Sequence, residues 1–168
     1  SYALRLSGTD TEMISTTGLD AYPEAGDTIR FSVRTNDLGA NLNFSYGVQD
    51  HENRYYLSLD FSENELYFFI YQNDDSNSIG GPSNVPYEAD VWYEVELTWE
   101  TDGTHTARLF HPTDGEIATA TTTESTWSSG GIGFDAYLSS GQSVYFDYVT
   151  SNLVRELGRF ENGLDEWT

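Results

Sequence analysis

Three glutamates occupy alternate positions that would share one face of a β-strand. Glu94, Glu96 and Glu100 fall between apolar residues in the segment 91–100. Side chains two residues apart on a strand face stand roughly 6.5–7 Å apart, and paired carboxylates near this separation hydrolyse glycosidic bonds. Because the chain carries 28 acidic residues, such pairs also arise by coincidence. We therefore prefer a solvated acidic face and keep a glycoside hydrolase as the minor alternative.

Aromatic side chains that pattern places off the inward strand faces suggest a second chemistry. Flat rings beside planar polar groups are what a sugar-binding surface needs. The candidate rings are Tyr56, Tyr67, Tyr71, Trp92 and Trp127, with Asn43, Asp60 and Arg54 as hydrogen-bonding partners. The alternative is that these outer rings pack under loops or against a neighbouring module.

Several other chemistries find little support. His51, His105 and His111 each lie next to a predicted turn, and none forms a pair with metal-ligand spacing, so we expect solvated loop histidines. Lysine and cysteine are absent, which excludes Schiff-base and thiol chemistry and disulfides. Asn43 begins the sequon Asn-Phe-Ser and is expected on a wet face, where it would accept a glycan if the protein is exported.

The segment 91–100 is the element around which the chain is organised. Val91, Tyr93, Val95, Leu97 and Trp99 alternate with polar residues and with Trp92. A period of two over ten residues predicts a long central antiparallel strand with one buried face.

Most other segments repeat this alternation, and short connectors such as Asp102-Gly103 and Asp114-Gly115 are typical of hairpins. Residues 66–71 are apolar on both faces, so their outer face is expected to be covered or to bind something. Residues 73–90 are interpreted as one long loop. The predicted fold is all-β: a two-sheet antiparallel β-sandwich (jelly roll) with ten or more strands and little or no helix.

The charge balance indicates the solvent in which the protein works. The formal net charge is −21, and all seven basic residues are arginine. Such a field repels nucleic acid and anionic lipid, and molar salt shortens the Debye length to about 3 Å. We interpret the surface as adapted to high salt, as in haloarchaeal proteins; the alternative is a calcium-loaded surface protein at ordinary salinity. No apolar run is long enough to span a membrane.

Residues 93–149 resemble the second half of a concanavalin A-like, LamG-type jelly-roll module, and the similarity covers most of the chain. The resemblance is carried by residues 93–99, the Asp102-Gly103 turn, the strand at 108–110, Asp114-Gly115, GGIGFDAY (130–137) and VYFDYV (144–149). Such modules occur in secreted lectin-like, carbohydrate-binding and adhesive proteins. The resemblance therefore implies an extracellular or cell-surface location.

The two ends appear in reversed order relative to such modules. RFENGLDEW (159–167) resembles a module's opening strand, whereas SYALRLSG at the start resembles the strand that follows it. We expect a fragment or mature piece of a longer chain, with a jelly roll at 1–158 and a terminal strand at 159–168. That strand opens the next module, is donated to a neighbouring subunit or closes the same sandwich. The alternative is a C-terminal tail without such a role. Its assembly residues would be Phe160, Leu164 and Trp167.

The same resemblance implies a structural Ca²⁺ that ties the first strand to the last. The matching oxygen ligands would be Asp147, Glu161, Asn162 and Asp165. A second candidate is the loop Asp74-Asp75-Ser76-Asn77, and solvated acids are the alternative for both.

The preferred function is a non-catalytic adhesive or structural module of a halophile. It would be a repeat or subunit of a surface or filamentous assembly, with copies of itself or neighbouring modules as partners. The alternative is a lectin-like carbohydrate-binding module with glycans as partners.

Overall fold

The computed structural model describes residues 3–9, 11–15, 23–82, 84–151 and 156–158. These residues form thirteen β-strands and no helix, so nothing among them could cross a membrane as a helix. The strands are β1 (Leu4–Ser7), β2 (Thr11–Ser15), β3 (Thr28–Thr35), β4 (Asn41–Asp50), β5 (Asn53–Asp60), β6 (Glu65–Gln72), β7 (Asp75–Gly80), β8 (Tyr93–Trp99), β9 (Thr104–His111), β10 (Gly115–Thr123), β11 (Gly131–Tyr137), β12 (Ser143–Ser151) and β13 (Glu156–Gly158).

The strands form two antiparallel sheets. Sheet A has the order β1-β12-β3-β8-β9-β10, and β13 pairs with β12 at Val149 and Thr150, beyond the stretch that pairs with β1. Sheet B has the order β2-β11-β4-β5-β6-β7. The predicted all-β, two-sheet antiparallel β-sandwich is confirmed.

The period-two pattern correctly predicts the buried face of β3, β6 and β8, whereas both faces of β4 are largely buried. On β8, Tyr93, Val95, Leu97 and Trp99 are at most 1% exposed, and β8 lies inside sheet A between β3 and β9. Burial of such side chains supplies the main driving force for folding, about 25 cal/mol per Å² of apolar surface.

Aromatic rings from both sheets meet in the interior. Phe31 of sheet A stacks on Phe44 of sheet B with ring centroids 4.2 Å apart. Phe146 of sheet A packs against Phe134 of sheet B at 4.7 Å. These contacts hold the two layers face to face, because each ring fills space between strands that are not hydrogen-bonded to one another.

Two local expectations are corrected by the structure. Residues 73–90 are not one loop, because Asp75–Gly80 forms β7, the edge strand of sheet B. The β6–β7 turn is tight, with Asn73 and Asp74 at φ values of 52° and 65°. Two consecutive residues in the left-handed region are typical of a type I′ hairpin turn, for which Asn and Asp are suited.

His105 is a core residue, so the expectation that all three histidines are solvated is wrong. Its side chain is fully buried and packs edge-on against Tyr55 at 4.9 Å. Nε2 lies 2.7 Å from the Glu124 carbonyl oxygen, which can only accept, so Nε2 carries the proton. Nδ1 then accepts the Tyr46 hydroxyl proton at 2.7 Å. The neutral ring satisfies both contacts, and burial lowers the pKa of His105.

This burial predicts a stability loss in mild acid. The pKa of His105 is lower in the folded state than in the unfolded chain, where it is about 6.5. As pH falls, the unfolded chain therefore binds the proton before the folded protein does. The free energy of unfolding therefore falls as pH drops below that value, by at most about 1.4 kcal/mol per pH unit for one proton. Denaturant titrations in molar NaCl, between neutral pH and pH 5, would measure the free energy of unfolding of the protein and of His105→Gln. The loss of stability that comes from protonating His105 should be seen only for the unsubstituted protein.

Exposed His51 offers a matched control. The variant His51→Gln should retain the slope. Equal pH slopes for the protein and His105→Gln would contradict the assignment of a buried neutral ring.

Candidate functional site: the outer face of sheet B

Four aromatic side chains lie together on the outer face of sheet B. Tyr67, Phe69 and Tyr71 of β6 alternate with the buried residues Leu66, Phe68 and Ile70, so burial of one set directs the other outward. Tyr56 of β5 stands opposite Phe69 in the ladder. All four are half-buried. We call Tyr56, Tyr67, Phe69 and Tyr71 the sheet B platform.

The centre of the sheet B platform is a stacked pair of rings. Tyr56 and Phe69 stack with centroids 4.8 Å apart and an interplanar angle of only 3°. The Tyr56 hydroxyl is 2.6 Å from Ser76 Oγ on β7, which fixes the ring at its far end. The two rings stiffen each other, and the half-buried pair adds apolar ring surface to the outer face of the sheet.

A guanidinium group borders the platform. The Arg54 guanidinium carbon lies 4.5 Å from the centre of the Tyr71 ring, in a cation–π contact. Nη1 donates to the His51 carbonyl oxygen, and Nη2 is 3.7 Å from Asp135 Oδ2. The Tyr71 hydroxyl donates to Asp74 Oδ1 at 3.0 Å. Arg54 is therefore held by contacts on three sides.

Polar side chains continue from Arg54 across the neighbouring strands. Asp135 of β11, Asn43 of β4 and Ser58 of β5 follow one another in register. Four atoms of this region are buried without a hydrogen-bond partner: Asn43 Oδ1, Ser45 Oγ, Arg54 Nε and Asp135 Oδ1. Leaving a buried polar atom without a hydrogen-bond partner costs about 1–3 kcal/mol. Because four such atoms lie beside one aromatic surface, this region differs from an ordinary sheet surface.

Asp135 is the electrostatically unusual member of this region. Burial raises the pKa of Asp135, and the raising effect exceeds the opposing influence of Asn43 and Arg54. A carboxylate held in this state is a strong hydrogen-bond acceptor that the protein itself saturates only in part.

The structure brings together most of the predicted sugar-binding residues, but not all. Tyr56, Tyr67 and Tyr71 share the platform with Arg54 and Asn43, as the pattern suggested. Trp92 lies instead at the outer face of sheet A, near Tyr145. Trp127 packs against the core next to Tyr55, with centroids 4.8 Å apart. These two tryptophans are not part of the platform.

One member of the platform was missed by the sequence analysis. Phe69 is the stacking partner of Tyr56 and lies on the same strand face as Tyr67 and Tyr71. The sequence signal that points to Phe69 is that residues 66–71 are apolar on both faces, so one apolar face, which includes Phe69, must point outward.

Asn43 faces outward, yet it is only 3% exposed. The expectation of a solvent-exposed amide at this sequon is therefore wrong. Glycosylation at Asn43 stays a prediction, and the folded protein offers little room for it.

Of the three glutamates with the predicted spacing, Glu96 belongs to a cross-strand ion-pair network on sheet A. Glu96 pairs with Arg30 at 2.8 Å and with Arg108 at 3.3 Å, and Arg108 also pairs with Glu116. Glu94 is exposed beside Phe110, and Glu100 is exposed after the end of β8. Protonating Glu96 would break two ion pairs, which opposes the role of general acid that glycoside hydrolysis requires.

The calcium and assembly expectations fall largely outside the described residues. Glu161, Asn162 and Asp165 lie outside them, and so do the predicted assembly residues Phe160, Leu164 and Trp167. Asp147 is described: it is 6% exposed, and its Oδ1 accepts the Tyr148 N–H at 2.8 Å. Within the described part of the chain, no group of three or more metal-ligating side chains is found, at residues 74–77 or elsewhere. A calcium site at Asp147 stays a prediction.

Comparison with solved structures assigns the fold to a known class. The chain is similar to the carbohydrate-binding module CBM66 from Bacillus subtilis, with a TM-score of 0.68 and 17% identity over 88% of this chain and 84% of that one. It is also similar to toad ovary galectin in complex with thio-digalactose, with a TM-score of 0.53 and 11% identity over 86% of this chain and 100% of that one.

A third similarity is to an enzyme. The GH43 protein BlXynB from Bacillus licheniformis matches with a TM-score of 0.57 and 9% identity over 89% of this chain, but only 32% of the hydrolase. At these identities the comparisons show a galectin-like jelly-roll β-sandwich, and they show the fold alone. No protein-family model matches the sequence, and a search of curated proteins found no match.

The raised pKa of Asp135 predicts a specific pH response of its variant. The folded state holds this proton to higher pH than the unfolded chain, whose aspartates titrate near 3.9. Stability from this group is therefore present below that pH and lost as pH rises through the folded-state pKa. The free energy of unfolding of Asp135→Asn minus that of the protein should increase as pH rises from about 4 to 7.

Denaturant titrations across that range would measure this difference. The exposed residue Asp114 supplies a control, Asp114→Asn, that removes one charge from the surface. A difference for Asp135→Asn that stays flat with pH, or follows the control, would contradict the assignment.

Proposed function

We propose that this chain is a non-catalytic carbohydrate-binding module and that the sheet B platform is its glycan-binding surface. The observation that carries the proposal is the stacked Tyr56–Phe69 pair beside the polar groups of Arg54 and Asp135. A pyranose ring has an apolar face that packs against aromatic rings, and hydroxyl groups around its edge. Those hydroxyls both donate and accept, which matches a border that contains a carboxylate and a guanidinium group.

The similarity in fold supports this proposal over catalysis. Two of the structures described above are named as a carbohydrate-binding module and as a galectin bound to thio-digalactose. The hydrolase resembles this chain over only about a third of its length. In this chain the glutamates with the best spacing for glycoside hydrolysis include Glu96, which is already engaged by two arginines.

Two further parts of the proposal concern the location of the protein and its assembly with other modules. We propose an extracellular or cell-surface module from a salt-loving organism, where the acid-rich, lysine-free surface is an advantage. Assembly with copies or neighbouring modules through residues 159–168 is a further proposal. It draws support from β13, which brings the chain to the edge of sheet A shortly before that segment begins.

Truncation of the stacked pair tests the glycan-binding surface. Tyr56→Ala removes one ring of the stacked Tyr56–Phe69 pair, and we expect at least a tenfold loss of glycan affinity, about 1.4 kcal/mol. The measurement is a neutral-glycan array in molar NaCl, followed by calorimetric titration with the best ligand found.

Phe110→Ala is the matched control, because Phe110 is also a half-buried outward aromatic residue, but on sheet A. It should bind as the unsubstituted protein does. An array without any signal, or equal losses for the two variants, would refute the proposed surface.

The charge balance predicts stabilisation by salt. At 0.1 M salt the Debye length is about 10 Å, so the 28 acidic residues repel one another across the surface, whereas at 1 M it is about 3 Å. Calorimetric melting should therefore give a Tm that rises as NaCl increases toward molar concentration. Sucrose, which does not screen charge, serves as the comparison. A Tm that stays constant or falls with NaCl would count against adaptation to high salt.

A further inference from the structure

The outer face of sheet A carries a cavity that the proposed function does not use. It has a volume of about 610 Å³, within the range of roughly 300–1,000 Å³ that is usual for small-ligand sites. We call it the sheet A groove. Its lining residues are Ala3, Arg5, Ser32, Arg34, Trp92, Tyr145, Asp147 and Tyr148.

One side of the groove is a row of alternating cationic and aromatic side chains. Arg5, Tyr145 and Arg34 face one another across β1, β12 and β3. Trp92 continues the row, since it precedes the residue paired with Val33. The Arg34 guanidinium carbon lies 4.5 Å from the Tyr145 ring centre and 5.4 Å from the Trp92 ring. The two rings hold the guanidinium group in place.

Neither Arg5 nor Arg34 forms an ion pair with a carboxylate of the described residues, although Asp147 lines the same groove. Arg30, Arg54 and Arg108 each have a described carboxylate within 4.0 Å, whereas Arg5 and Arg34 have none. Arg5 donates to Ser143 Oγ instead, and Arg34 Nε is buried without a hydrogen-bond partner. Two arginines that flank Tyr145 on one sheet face and lack such partners are unexpected in a chain of net charge −21.

Two aromatic residues of the groove are exposed to solvent. Of the four exposed large hydrophobic residues in the described chain, Trp92 and Tyr148 both line this cavity, at 37% and 52% exposure. Tyr148 has a φ of 53° and lies where the β12–β3 register shifts between Asp147 and Thr150. This bulge turns Tyr148 outward while Val149 remains buried. A non-glycine residue in the left-handed region costs of order 1 kcal/mol and often marks a functional position.

From these observations we propose that the sheet A groove is a second glycan site, selective for a sugar that carries a carboxylate, such as a uronic acid. The ligand carboxylate binds Arg34 and Arg5, because a guanidinium group matches a carboxylate in shape and charge. The sugar ring lies against Trp92 and Tyr148. Glu94 is exposed beside Ser32 at the rim of the neighbouring cavity, and Asp147 lines the groove itself. These acidic side chains disfavour a dianionic group such as a phosphate monoester. The occupant is therefore a sugar ring that carries one carboxylate, and in an oligouronate one such ring fills the groove.

Calorimetric titration with trigalacturonate, and with the neutral galactose trimer as comparison, tests this proposal. Molar NaCl removes the long-range repulsion from the rest of the protein but leaves contacts at short distance. We expect the protein to bind trigalacturonate at this site and Arg34→Gln to bind it at least tenfold more weakly. Arg34→Lys, which keeps the charge but loses the planar fork, should give an intermediate loss.

The controls separate this site from the sheet B platform. Arg30→Gln removes an arginine from the same sheet that is engaged by Glu96, and it should leave trigalacturonate binding unchanged. Tyr56→Ala should also leave it unchanged, whatever the platform itself binds. Arg5→Gln, at an exposed position, gives a second groove variant should Arg34 variants fold poorly.

Three outcomes would overturn the proposal. The first is a protein that does not bind trigalacturonate, and the second is trigalacturonate binding lost with Tyr56→Ala but kept with Arg34→Gln. The third is a change in oligomeric state of the Arg34 variants, measured by light scattering, with trigalacturonate binding unaltered. That result would make the groove an interface between copies.

Discussion

The structure depends on one geometric constraint: successive side chains of a strand point to opposite faces of its sheet. Each residue buried between the sheets therefore leaves its neighbours on an outer face. On β6, burial of Leu66, Phe68 and Ile70 places Tyr67 and Phe69 outward. On β3, burial of the alternate residues places the Arg34 side chain on the opposite face. The same alternation of side chains therefore produces both the core and the two candidate binding surfaces.

The arginines on the two outer faces have different electrostatic surroundings. On sheet B, Arg54 is held against Asp135, and the polar atoms around them are largely withdrawn from water. On sheet A, the ion pairs of Arg30 and Arg108 with Glu96 cross the centre, while Arg34 lies between aromatic rings and forms no ion pair with a described acid. Salt screens buried charges much less than exposed ones, so we expect Arg54 and Arg34 to be less sensitive to concentrated salt than the exposed ion pairs.

The interior also contains polar chemistry that serves the fold rather than a ligand. His105 joins Tyr46 to the Glu124 carbonyl oxygen inside the aromatic core, and Trp99 stacks nearby at 5.9 Å. Both ring nitrogens are satisfied, so a polar side chain is buried without an unpaired group. This histidine ties sheet A to sheet B, since Tyr46 belongs to β4 and His105 to β9.

The sequence by itself determined the fold class, the central strand and the inward face of regularly alternating strands such as β8, because alternation is a local property of the chain. It also identified three of the four platform aromatics. It did not predict that Asn43, Ser45 and Ser58 on the opposite faces would also be buried. Only the tertiary structure decided that Trp92 and Tyr56 lie on opposite sheets, that Asp75–Gly80 forms an edge strand and that His105 is buried. These outcomes depend on strand order, which joins β12 to β3 and β11 to β4 across more than eighty residues of chain. A period of two tells inside from outside, but it carries no information about which distant strand will be the neighbour.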